Sequence, residues 1–382
     1  MHGRVTCCSV RIGLDATPLI GPRTGIGRYV EHLLAELAIP SGADPDVELV
    51  ATAFTARGAS GLPTALPQAV RNRGRRIPAR GLRWAWERSE FPPVELLSGR
   101  LDVFHGTNFV LPPSRAAGVL TVHDLAYLRY RETVSADSAH LQVLVERGLR
   151  RAAVVCTPSN GVAQELIESA ALPADRVVVT PLGVDASWST AGPPTADRRR
   201  ALGLTGSYLV FAGNVEPRKN LPMLLRAYAA AHAATGDDLP LLALAGPAGW
   251  GPPLEVPGPV ARRVVRLGYL EQHELQSVVA GARALVFPSR YEGFGLPPLE
   301  AFATGVPVLA SDIAATQETV GSLAHLIDPE DEDGWAEALL GTAIAPPDDA
   351  PAAARRRAVA ARFSWSATAR ATCAAYRRAV EG

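Results

Sequence analysis

Short apolar runs recur along the chain, each followed by a glycine-, proline- or polar-rich turn and then a longer stretch with helical spacing. In the first half the runs at 10–14, 47–53, 103–105, 119–123, 154–157 and 177–180 predict strands. Thr24-Gly25-Ile26-Gly27 opens a helix that runs through Leu37. Residues 186–206 are richer in Pro, Thr, Gly and charge, and the linker is set at 189–206. The pattern then restarts, with strands expected at 208–212, 241–245, 264–267, 284–287, 306–310 and 325–327. Helices are expected between them, as at 221–234 and 271–280. The last segment, 364–380, is helical, with Trp365 and Tyr376 on one face. Strands apolar on both faces and separated by helices mean parallel α/β sheets. The expectation is two similar sheets facing each other across a cleft, with a ligand meeting the carboxyl ends of both.

The stretch 284–305 is the organising element of the second half. An apolar strand leads into Tyr291-Glu292-Gly293-Phe294-Gly295, and Leu296-Pro297-Pro298-Leu299-Glu300 then opens a helix that Gly305 stops. Backbone N–H groups and the positive end of a helix dipole lie where an anion can sit. Glu292 is placed in the loop and Glu300 in the first helical turn, so both can face one ligand without pairing with each other.

A second loop, Gly213-Asn214-Val215-Glu216-Pro217-Arg218-Lys219-Asn220, follows the first strand of this half. A planar guanidinium beside a compact ammonium at a sheet edge suits a diphosphate, although a solvated pair ahead of a helix is the plainer alternative. In the first half, Gly25 and Gly27 would let a sugar or diphosphate approach the backbone closely, or would simply make a tight turn. His123 and His105 each end a strand. A strand-end histidine is more often structural, yet both are placed on the cleft edge as candidates to touch substrate. Asp124 is read as orienting His123 or capping the next turn.

Composition narrows the class. The 382 residues carry no net charge, and 47% are hydrophobic against 20% charged, which fits two ordinary domains with no global pull toward nucleic acid. No run approaches ~18 apolar residues, and 1–15 lacks the apolar core of a signal peptide, so a cytoplasmic protein is expected. Cys7, Cys8, Cys156 and Cys373 have neither metal-like nor disulfide-like spacing and read as reduced thiols. Lysine occurs once, at Lys219, against 37 arginines. Residues 71–93 interrupt the alternation with seven arginines, Trp84 and Trp86. They read as a solvated loop and short helix. The sharper alternative is a patch for anionic headgroups at the inner face of the cell membrane, or for a lipid-linked acceptor.

There is no Gly-x-Ser-x-Gly elbow, no Walker loop and no His-Glu-x-x-His. The acidic triplets at 44–46 and 331–333 lie near turns, and Asp333 reads as a helix cap. No catalytic metal and no cofactor are expected.

These motifs together resemble glycosyltransferase family 4, whose members have the GT-B fold and retain anomeric configuration. Glu292 and Glu300 meet its Glu-x7-Glu signature, and Arg218 with Lys219 matches its basic pair. Gly25 and Gly27 match its amino-terminal glycine loop, and His123 its cleft histidine. The wording Gly25-Ile26-Gly27-Arg28-Tyr29 and His123-Asp124-Leu125 is most similar to a mannosyltransferase-B-like branch. The resemblance implies two Rossmann-like domains: an acceptor domain at 1–188, completed by 364–382 crossing back, and a nucleotide-sugar donor domain at 207–363. It implies that Arg218 and Lys219 bind the diphosphate and that Glu300 binds the ribose. Glu292 and the backbone of Gly293, Phe294, Gly295 and Leu296 would hold the hexose hydroxyls and distal phosphate. Gly27 would lie by the phosphate, His123 against the sugar, and the base near Leu267 and Gly268.

The expected activity is transfer of a hexose with retention, by front-face attack, to a saccharide, lipid-linked or small-molecule acceptor. GDP-mannose is favoured as donor by branch likeness alone. A nucleotide-sugar 2-epimerase on the same fold and a non-catalytic nucleotide-sugar-binding module are the alternatives.

Overall fold

The computed structural model describes residues 10–21, 25–39, 47–55, 62–76, 78–129, 137–344 and 349–382. Cys7, Cys8, Thr24 and the triplet at 44–46 lie outside the described residues. The chain forms two compact units. One comprises Met1–Gly183 with Trp365–Gly382, the other Val184–Ser364.

The strands of the first unit are β1 (Val10–Asp15), β2 (Val47–Thr52), β3 (Phe54–Thr55), β4 (Arg71–Asn72), β5 (Arg75–Arg76), β6 (Val103–Gly106), β7 (Ala117–Thr121), β8 (Val154–Thr157) and β9 (Val177–Val179). Seven of them make a sheet of order β4-β2-β1-β6-β7-β8-β9, and β3 pairs with β5 alone. Every pairing is parallel. β6 and β8 are buried along their whole length, which is why their sequences are continuous apolar runs rather than alternating ones.

In the second unit the strands are β10 (Tyr208–Ala212), β11 (Leu241–Ala245), β12 (Val264–Gly268), β13 (Ala284–Phe287), β14 (Val308–Ser311) and β15 (His325–Ile327). They form one parallel sheet of order β12-β11-β10-β13-β14-β15. Five helices matter below: α1 (Gly25–Leu37), α2 (Ala79–Arg88), α3 (Leu221–Thr235), α4 (Leu296–Thr304) and α5 (Trp365–Glu381). On α5 the buried residues Trp365, Thr368, Ala369, Thr372, Ala375, Tyr376 and Ala379 recur every three or four positions, making one stripe against β6, β7, β8 and α1. Burial of each large aromatic there contributes roughly 2–3 kcal/mol.

Both sheets share one topological device. From β1 the chain moves outward to β2 on one side, then returns to β6 on the other. From β10 it moves to β11 and β12, then returns to β13. A crevice opens at the carboxyl ends of such a strand pair, because the connections leave in opposite directions.

Two expectations need correction. Residues 189–206 are not a free linker. They lie within the second unit and carry a helix, Ala196–Ala201, because the flanking Trp188 and Leu204 are both fully buried anchors. The segment 71–93 is not a loop with one helix either. Its first part contributes the edge strands β4 and β5, and Arg71 pairs with Glu48 at 3.0 Å. Arginine at a sheet edge discourages further strand addition.

Candidate active site

The connection leaving β10 is shaped by backbone before side chains. Gly246, after β11, has φ of +144°, and a Cβ there would lie 2.0 Å from the Gly213 carbonyl oxygen, so the two loops can run this close only with glycine. The chain then makes a short 3-10 turn, Pro217–Lys219, and Asn220 adopts φ of +56° to start α3. The Asn220 amide donates to the Pro329 carbonyl at 2.7 Å, anchoring the turn. This directs Arg218 and Lys219 toward the loop that leaves β13.

That loop meets them directly. Lys219 Nζ lies 2.5 Å from Glu292 Oε1, and Arg218 Nη1 lies 2.8 Å from Glu292 Oε2. Arg218 Nη1 also donates to the Tyr291 carbonyl at 3.2 Å, and its Nε donates to Glu216 Oε2 at 3.2 Å. The Arg290 N–H donates to the Arg218 carbonyl at 2.9 Å, joining the two loops through their backbones. The Lys219 ammonium also sits 5.0 Å from the centroid of the Phe287 ring. The result is a four-charge network of zero net charge at the switch point between β10 and β13.

Burial and charge compete in this network. The Lys219 and Glu292 side chains are only 8% and 10% exposed, so each needs the other to remain ionised. Burial alone would raise the Glu292 carboxyl, but the Arg218 and Lys219 charges override it and bring it down to about 2. For Lys219 burial prevails: its ammonium lies below the ordinary lysine range although Glu292 opposes the shift.

Gly295, at φ of +93°, caps α4 in the left-handed region that glycine favours. Pro297 and Pro298 fill the first turn, where their missing N–H groups cost nothing. Glu300 is the fifth helical residue, just past the first turn expected for it, and is 8% exposed. Leu267 and Gly268 end β12. A register shift there brings Gly268 opposite Ala245, and the Gly268 carbonyl accepts from Gly246 at 2.7 Å. A Cβ on Gly268 would meet nothing within 4 Å, so this corner is open.

Gly25, Gly27 and His123 belong to the first unit. Gly25 is exposed at the start of α1 and Gly27, its third residue, is buried within the first turn. His123 lies two residues past the end of β7, not at the strand end. Its Nε2 is 2.8 Å from the Thr107 carbonyl. A carbonyl can only accept, so Nε2 carries the proton and Nδ1 is left as an acceptor. Burial lowers the His123 pKa, opposed by the Thr107 bond and the Asp124 charge. Asp124 accepts from the Ala126 N–H at 3.1 Å, which fits its reading as a turn cap. His105 is wholly buried and pushed down to about 3 by burial, so it cannot touch substrate as expected.

Sequence reasoning missed Glu216, the second carboxylate on Arg218. A carboxylate two residues before an arginine in a tight turn was the available signal. It also missed Tyr29, whose ring meets His123 edge-on at 5.0 Å.

Both halves of the chain match known families. Residues 24–183 match the glycosyl transferase 4-like domain, and residues 206–343 match the glycosyl transferases group 1 family. The chain is 31% identical to O-antigen chain mannosyltransferase B of Escherichia coli, over 96% of this chain and 100% of that protein. The chain belongs to glycosyltransferase family 4. Within the family it is also 30% identical to the MMP alpha-(1->4)-mannosyltransferase of Mycolicibacterium hassiacum, over 62% of this chain and 56% of that one. Among solved structures, sucrose-phosphate synthase from Thermosynechococcus elongatus superposes with a TM-score of 0.67 at 21% identity, covering 96% of this chain and 98% of that one. Anabaena HepE in complex with UDP and glucose gives 0.66 at 17% identity, with the same coverage. These two establish the GT-B fold. The family 4 enzyme is a hexosyltransferase, similar to mannosyltransferases in sequence.

Proposed function

We propose that this glycosyltransferase moves mannose from GDP-mannose to a saccharide or lipid-linked saccharide, with retention and without a metal. The observation that carries this reading is the Arg218–Glu292–Lys219 network at the β10/β13 switch point. As the glycosidic bond breaks, negative charge grows on the leaving diphosphate and positive charge on the sugar. Arg218, Lys219 and the backbone N–H groups of Gly293, Phe294, Gly295 and Leu296 leading into α4 stabilise the first, and the Glu292 carboxylate stabilises the second. Glu300 holds the ribose hydroxyls, and the base lies by Leu267 and Gly268. His123 offers its Nδ1 lone pair to a sugar hydroxyl, and the backbone at Gly25 and Gly27 leaves room for the phosphate. The leaving phosphate takes the acceptor's proton in front-face attack, so no nucleophile is needed on the opposite face. Mannose is favoured by the two mannosyltransferase relatives, and GDP is proposed as its carrier by likeness to that branch.

A thermal-shift screen of nucleotide sugars tests the donor, with GDP-mannose expected to give the largest shift. The anomeric configuration of the product by NMR tests retention. Unchanged turnover in excess EDTA is expected. Conversion of the donor alone to an epimer would replace this reading with a 2-epimerase.

The same reading places the enzyme at the inner face of the cell membrane through residues 71–93. On and beside α2, Trp84 and Phe91 are 61% and 65% exposed among Arg80, Arg83 and Arg88, while Trp86 and Leu82 fix the helix to the unit. Salt-sensitive co-flotation with vesicles of phosphatidylglycerol is expected, and Trp84→Ala should weaken it.

A further inference from the structure

Behind His123 the first unit contains a buried chain of polar groups with no role in the reading above. Tyr376 Oη of α5 lies 2.8 Å from His105 Nδ1, and His105 Nε2 lies 2.7 Å from Thr121 Oγ1. Thr121 Oγ1 lies 3.1 Å from Tyr29 Oη of α1. Tyr29 in turn presents its ring edge-on to His123 at 5.0 Å. The four residues joined by these three hydrogen bonds are all buried, with Tyr29 1%, His105 0%, Thr121 2% and Tyr376 3% exposed.

A neutral imidazole has one donor and one acceptor, while each hydroxyl can do either. The imidazole therefore couples the bonds on its two sides. If Tyr376 donates to Nδ1, then Nε2–H donates to Thr121, and Thr121 uses its own proton by donating to Tyr29. If Tyr29 donates to Thr121 instead, either every bond reverses or Thr121 accepts from both neighbours and its own proton is buried without one of these partners. Only the two one-way arrangements use every donor of the chain, so full bonding holds its members together. Buried polar groups of this kind cost stability unless every bond is made. Simple packing could be achieved with phenylalanine and leucine.

We propose that Tyr376, His105 and Thr121 are positioning residues that hold Tyr29 against His123, so that the terminal helix sets the orientation of the sugar-facing imidazole. The kinetic part rests on the sugar-transfer reading; the structural part does not. Tyr29 fixes one side of the His123 ring, Phe109 lies against it at 5.8 Å, and the Thr107 carbonyl holds Nε2. Loss of the Tyr29 tether frees the ring to rotate about that single hydrogen bond.

The test uses the full chain with ¹⁵N-labelled histidine, and His123→Asn to assign the resonance. In the wild type, His123 is expected as one sharp Nε2–H tautomer. Tyr376→Phe and Tyr29→Phe keep both rings and remove only hydroxyls. Each is expected to broaden or shift the His123 signals and to lower kcat about tenfold, with donor KM within about twofold. The double variant is expected to lose no more than either single one, because both cut the same chain. Thr121→Val should behave alike, and Thr121→Ser should restore both readouts. Unchanged His123 resonances in Tyr376→Phe and Tyr29→Phe would overturn the proposal even if transfer slowed. So would kcat losses that simply follow the folded fraction. Altered resonances without any transfer activity in the wild type would leave the positioning chain standing and remove the sugar-transfer reading instead.

Discussion

At the carboxyl edge of the second sheet, Glu216, Arg218, Lys219 and Glu292 are charged, half-buried or buried, and paired. At the matching edge of the first sheet, Tyr29, His105, Thr121 and His123 are equally buried and neutral, and burial raises even the Asp15 carboxyl. The topology of the two edges is the same, so the difference lies in the side chains that the strand ends present. Buried ions need partners of opposite sign, and those partners can be exchanged for a ligand's charges. Neutral hydrogen bonds cannot be exchanged in that way, but they fix direction. On the proposed reading, one edge receives an anion and the other holds an orientation.

The largest expected effect comes from breaking the charged edge. Lys219→Ala leaves Glu292 paired with Arg218 and removes the only lysine of the chain from the proposed leaving-group site. Transfer is expected to fall by on the order of a hundredfold or more in initial-rate measurements. Lys219→Arg keeps the charge but not the compact geometry, and should recover only part of the loss. Undiminished turnover in Lys219→Ala would remove the assignment.

Glu292→Gln sharpens the contrast because it separates binding from turnover. The cations lose their internal counter-charge, so calorimetry should show a nucleoside diphosphate binding several-fold tighter. Transfer should nevertheless fall about tenfold or more, since the developing positive charge loses its carboxylate. Weaker diphosphate binding in this variant would show that Glu292 does not compete for Arg218 and Lys219.

Acid separates the two edges more gently. The folded pKa of His105 lies near 3, below its unfolded value, so the unfolded chain takes up a proton that the folded chain refuses. Its contribution is complete above about pH 6.5 and declines as the pH falls toward 3, by about 2 kcal/mol at pH 5. Glu292, held near 2, contributes fully above about pH 4.5 and declines only below that. Melting temperatures should therefore begin to drop between pH 6.5 and 5, and His105→Gln should flatten that slope. An unchanged slope in His105→Gln would place the acid sensitivity elsewhere.

Much of this fold can be read from the chain itself where burial leaves no choice. The strands Tyr208–Ala212, Leu241–Ala245, Ala284–Phe287 and Val154–Thr157 coincide with apolar runs because both of their faces are covered. Arg71–Asn72 and Arg75–Arg76 are illegible for the opposite reason: short edge strands use charge, which composition reads as loop. Trp188 and Leu204 hide inside a stretch whose prolines and arginines look like linker. The motifs located Arg218, Lys219 and Glu292, but their mutual contact spans more than seventy residues of sequence, and spacing does not encode it. The burial of His105 is equally invisible, since Tyr376 lies 271 residues away.

The terminal helix has one more consequence, for synthesis. The first unit takes its opening 183 residues from the start of the chain, but its stripe of Trp365, Ala369, Ala375 and Tyr376 from the end. On the ribosome, residues 1–183 must wait for α5 before their interior closes, while residues 184–364 can fold ahead of them. A nascent chain stalled anywhere short of Trp365 would expose His105 and the faces of β7 and β8 that α5 covers, making the earliest-made half the natural target for chaperones and for quality control.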